Sequence, residues 1–103
     1  MKAYELLFIV DPSIDEETRL ATSKRIDTTI TSQGGKIDNV EEWGKKKLAY
    51  EINGLADGDY TLIDFQADPT SIEEIDRVLR IMDSVVRFMI TRRTDRDGSV
   101  ESE

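Results

Sequence analysis

Apolar and polar residues alternate along some stretches of this chain and recur every three or four positions along others. From Lys2 to Val10, Tyr4, Leu6, Phe8 and Val10 fall on one side of an extended backbone, and Leu7 and Ile9 on the other. Asp11-Pro12 ends this strand. Ser13 followed by Glu16 has the form of a capping box, and Asp15, Glu16 and Glu17 suit a first helical turn, where negative charge meets unpaired amides. The predicted helix runs to about Ser32 with Leu20, Ala21, Ile26 and Ile30 inward. The β-branched residues from Thr28 to Thr31 weaken its last turns, and Gly34-Gly35 stops it. Lys36 to Ile52 is extended, with a bulge or bend expected at Gly44. Asn53-Gly54 and Asp57-Gly58 read as a loop, and Tyr60 to Ala67 as a third strand ended by Asp68-Pro69. Thr70 or Ser71, each three residues before a glutamate, caps a second helix carrying Ile72, Ile75, Leu79 and Met82. Val85 to Thr91 is a fourth strand.

The order is β-α-β-β-α-β, an α+β arrangement in which right-handed crossovers put both helices on one face of a four-stranded antiparallel sheet. One domain is expected over residues 1–93, and the polar stretch 94–103 reads as a disordered tail. The other sheet face is then uncovered. If Leu6, Phe8, Ile63, Phe65, Phe88 and Ile90 point to the helices, Leu7, Ile9, Tyr60, Leu62 and Met89 point away. An apolar patch there marks a partner surface; the plainer alternative is scattered exposed residues shielded by long neighbours.

Charge changes the picture twice. The formal net charge is −8 over 103 residues, which argues against binding nucleic acid unaided. Yet seven of the 14 basic residues sit in two short segments, Lys45-Lys46-Lys47 and Arg87, Arg92, Arg93, Arg96. These are candidate phosphate contacts; the competing reading is a solubilising edge and surface charge paired with nearby carboxylates. Segment 58–65 lacks most of the aromatics and the leading basic-glycine pair of an RNA-recognition-motif strand, so a protein contact fits the open face better than base stacking. Trp43 reads as a packing residue beside the bend.

No catalytic chemistry emerges. The chain has no histidine and no cysteine, and no serine in a nucleophile elbow. It has no phosphate loop or dinucleotide fingerprint, and the pairs Glu41-Glu42 and Glu73-Glu74 do not converge. No enzyme activity, cofactor or metal is expected, and the longest apolar run, Leu6 to Val10, is too short for a membrane span. Absence of a secretory signal and of cysteines suits the cytoplasm.

Three segments resemble the bacterial small-subunit ribosomal protein six family: Lys2-Ala3-Tyr4-Glu5 through Pro12, Glu41-Glu42-Trp43-Gly44-Lys45-Lys46-Lys47-Leu48-Ala49-Tyr50-Glu51-Ile52, and Leu79 through Ile90. The resemblance spans about residues 1–93. It implies a ferredoxin-like fold and a structural, ribosome-associated role beside small-subunit ribosomal RNA. It further implies pairing with ribosomal small-subunit protein eighteen, and no small-molecule substrate. Lys46, Lys47 and Arg87 stand where the family has basic residues, and Lys2 at a basic amino-terminal position. Two other classes of protein share the topology. A small-molecule-sensing regulatory domain would need a pocket, which no residue pattern marks. An acylphosphatase-like hydrolase would need an arginine in an anion cradle after the first strand, where Asp11-Pro12-Ser13 stands instead.

Overall fold

The computed structural model describes residues 1–52 and 54–94. The element order is β1 (Lys2–Val10), α1 (Glu16–Ser32), β2 (Lys36–Ile52), β3 (Leu55–Ala67), a 3-10 turn (Pro69–Ser71), α2 (Ile72–Arg80) and β4 (Val85–Arg92). The sheet is antiparallel with strand order β2-β3-β1-β4. The predicted α+β architecture is therefore present. Of the tail 94–103, read as disordered, residues 95–103 lie outside the described residues. Among the described residues no helix is long and apolar enough to cross a membrane.

The core lies between sheet and helices. Leu6, Phe8, Ile63 and Phe65 from the two central strands meet Ile26 and Ile30 of α1 and Ile75 and Leu79 of α2, all at most 3% exposed. The stripe that α1 buries is Thr22, Ile26 and Ile30. Leu20 and Ala21 do not join it: Leu20 is exposed, because positions 22, 26 and 30, spaced by four, define the line facing the sheet. Thr22 is buried without loss because its hydroxyl bonds Thr18 O and Ser84 Oγ.

Both helix starts differ from the sequence expectation. Asp15, not Ser13, caps α1 by accepting the Thr18 amide at 2.9 Å; Ser13 is held in a turn by Asp11. Before α2, Asp68 accepts the Thr70 amide and starts the 3-10 turn, while the Ser71 hydroxyl donates to Gln33 O. At α1 an acidic side chain takes the place expected for a hydroxyl; α2 does start after Ser71, but the Ser71 side chain makes no capping bond, and Asp68 caps the 3-10 turn ahead of it. Hydrogen bonds from Thr18, side chain and then amide, hold the Asp15 carboxyl below its usual pKa. Those from Thr70, amide and then side chain, do the same for Asp68. A depressed folded-state pKa stabilises the fold above the unfolded-state value and loses that contribution as pH falls through the folded one. Thermal melts should therefore show stability declining below about pH 4, and Asp15→Asn should flatten that decline.

β3 is longer than expected: it starts at Leu55 and includes Asp57-Gly58 inside the ladder. Gly58 is there for space. A Cβ at this position would collide with Ile9 Cγ2 and lie 3.2 Å from Leu48 Cδ2. The resulting β2–β3 hairpin stands at one end of the sheet.

Candidate binding interface

Residues directly opposite one another in an antiparallel ladder share a face, so the register sorts the candidate side chains. Leu7 pairs with Leu62 and Met89, and Ile9 with Tyr60 and Arg87. All six lie on the face away from the helices. On the hairpin strand Glu41 faces Leu62, and Lys46 faces Gly58, on the same side. Lys45 and Lys47 are opposite Asp59 and Asp57 and project to the other side. The lysine triplet is thus split by the alternation of the strand: one ammonium reaches the open face, and two stand across from carboxylates.

The open face is not uniformly exposed. Met89 is 58% exposed, and Leu7 and Tyr60 are half-buried. Ile9 and Leu62, expected to be exposed, are both buried. The reason is local: Ile9 seats itself on the bare backbone of Gly58, beside Leu48 and Tyr60. The chain thus covers the middle of this face with its own residues and leaves the β4 side and the hairpin side accessible. The other half of the face is polar. Arg93 Nη1 donates to Glu5 Oε2 at 2.8 Å, and Gln66 Nε2 donates to Asp38 Oδ2 at 3.0 Å.

Arg96 lies outside the described residues, and the other seven basic candidates, Lys2 included, do not form one patch. Lys2, exposed, starts β1 on the helix side, opposite Ala67. Arg92 stands 5.7 Å from the Tyr4 ring centroid, also on the helix side, since Tyr4 pairs with Arg92 and packs in the core. Arg93 is held by Glu5. Arg87 and Lys46 do share a face and an end of the sheet. They sit on opposite edge strands with Ile9 and Tyr60 between them. Three strand spacings of about 4.8 Å separate those edges, roughly 15 Å in all.

On the same edge strand as Lys46 stands a residue whose sequence pattern suggests packing. Trp43 is 42% exposed and stacks on Tyr60 with centroids 6.3 Å apart and planes at 14°. Its Nε1 donates to Glu41 Oε1 at 3.2 Å, and Lys46 Nζ lies 5.7 Å from its ring centroid. The sequence signal for this placement is Gly44, whose φ of +81° sits at a register shift between Glu42 and Gly44. Trp43 is the extra residue of that bulge, and a bulge re-aims a side chain.

Comparison with known proteins agrees with the fold. Residues 3–92 match the family model of ribosomal protein S6. The small ribosomal subunit protein bS6 of Clostridium novyi is 49% identical over 90 residues, covering 87% of this chain and 95% of its own length. That of Clostridium kluyveri is 51% identical over 92 residues, covering 89% and 97%. The crystal structure of 30S ribosomal protein S6 from Thermotoga maritima superposes with a TM-score of 0.86 at 37% identity, over 91% of this chain and 89% of that one. The C-terminal domain of the MgtC protein from Mycobacterium tuberculosis superposes at 0.60 with 10% identity, a likeness of fold alone. A family match across nearly the whole described domain, carried by relatives of about half identity along their full lengths, makes this chain a member of the ribosomal protein S6 family.

Proposed function

We propose that this chain is a structural, non-catalytic component of the cytoplasmic small ribosomal subunit. In this reading it holds small-subunit ribosomal RNA jointly with the basic ribosomal small-subunit protein eighteen. The observation that carries it is the sheet face away from the helices, where Met89, Trp43, Lys46 and Arg87 stand accessible around a buried middle. An accessible apolar rim next to cations is a surface for a macromolecule and not a pocket for a small substrate. Family membership supplies the ribosomal setting.

Charge assigns the labour between the partners. With a formal net charge of −8, the chain repels a polyanion at long range, and two exposed cations about 15 Å apart offset that only locally. A basic partner supplies the remaining neutralisation and is itself attracted to this acidic surface. RNA binding should accordingly be weak for the chain alone and at least about tenfold tighter with the partner present. Equal binding with and without the partner would contradict this division.

Replacing Lys46, Lys47 and Arg87 together by alanine should leave the thermal melt unchanged, since all three side chains are exposed. The slope of log binding constant against log salt should become shallower, by up to roughly 0.9 for each phosphate no longer neutralised. By the split of the triplet, most of that change is expected from Lys46 and Arg87 and little from Lys47. An unchanged slope would show that none of the three meets phosphate.

A further inference from the structure

We propose that Trp43, with Lys46 beside it, is a stacking site for one unpaired nucleobase of RNA; this rests on the RNA-binding reading above. Three features make the indole a platform. The bulge at Gly44 turns Trp43 out of the ladder, leaving it 42% exposed at the surface. Tyr60, anchored in a central strand, lies nearly parallel to it and fixes the plane of the ring. Its N–H is tied to Glu41, which fixes rotation within that plane. A large aromatic surface already oriented in this way binds a flat partner with little ordering to be done.

Lys46 points to the kind of partner. Its ammonium lies over the ring at 5.7 Å, so in the free chain a cation rests on the indole π-system. A seated base displaces that weak contact, and the ammonium remains within reach of the flanking phosphate. A basic protein fits this corner poorly, because its cations would face the Lys46 ammonium. A single strand of RNA satisfies both the ring and the lysine. Every base has a π-face, so the site requires only that the base be unpaired, whatever its identity.

Trp43 is the only tryptophan in the chain, which gives a direct probe. The full chain carrying fluorotryptophan shows one fluorine resonance, to be followed as protein eighteen and then small-subunit ribosomal RNA are added. The expected result is a ring-current shift when RNA is added. Trp43→Ala should weaken RNA binding by about ten- to a hundredfold with an unchanged melt, and Trp43→Phe should retain most of the affinity. RNA binding with no shift and with full affinity in Trp43→Ala would overturn the stacking site while leaving the RNA-binding reading intact. No RNA binding by the unsubstituted chain with its partner would overturn both. A shift produced by the protein partner alone, with pairing lost in Trp43→Ala, would assign the indole to protein contact and likewise overturn it.

Discussion

Met89→Lys is expected to leave the fold standing and to weaken pairing with the basic partner by about a hundredfold or more. Met89 is 58% exposed on edge strand β4, so its side chain contributes little to the core, and lysine fits the same backbone. In the complex the change is severe. A flexible apolar surface well suited to packing is replaced by a cation that must lose water against a partner of like charge, which costs several kcal/mol. Calorimetric titration with the partner and a thermal melt separate the two effects. Met89→Leu, similar in volume and still apolar, is expected to pair nearly as well as the unsubstituted chain. Undiminished pairing by Met89→Lys would place the partner elsewhere on the molecule.

The largest effect on the fold is expected from Phe8→Ala. Phe8 is 1% exposed at the centre of β1, the strand flanked by β3 and β4, and it packs in the cluster that includes Leu6, Ile63 and Phe65. Removing a buried aromatic ring costs about 3–5 kcal/mol, part transfer of the ring to water and part cavity. Total stability for a domain of this size is about 5–15 kcal/mol. The melting temperature should therefore fall by roughly 15–30 °C. A destabilisation below about 1 kcal/mol in denaturant titration would mean that the sheet–helix layer is not where the stability resides.

Periodicity makes the architecture legible, because a two-layer fold requires an inward apolar face on every element, and β1, α2 and β4 each supply one. It fails where a contact between distant segments decides. Leu20 looks like a core residue by composition, yet the line through Thr22, Ile26 and Ile30 is the one that meets the sheet, with Thr22 made acceptable by Ser84, far along the chain. Asp57-Gly58 looks like a turn, but Gly58 is the hollow into which Ile9 fits, a contact across two strands that no local pattern encodes. The same contact buries Ile9, and Leu62 is buried beside it, so both are less accessible than alternation alone implies. The lysine triplet is visible in the sequence, but its division between two faces depends on strand register, which the bulges at Ile37/Asn39 and Glu42/Gly44 set. Trp43 escapes the pattern for the same reason, since alternation says nothing about the extra residue of a bulge.

The methionines allow the occupied face to be tested in place. Met82 is buried at 7% exposure in the core, and Met89 at 58% lies on the face assigned to the partner. Mild peroxide treatment of the free chain should oxidise Met89 readily and spare Met82. In intact small ribosomal subunits treated identically, Met89 is predicted to be protected as fully as Met82. Oxidation of Met89 at the same rate in the subunit as in the free chain would contradict the claim that this face is covered by another macromolecule.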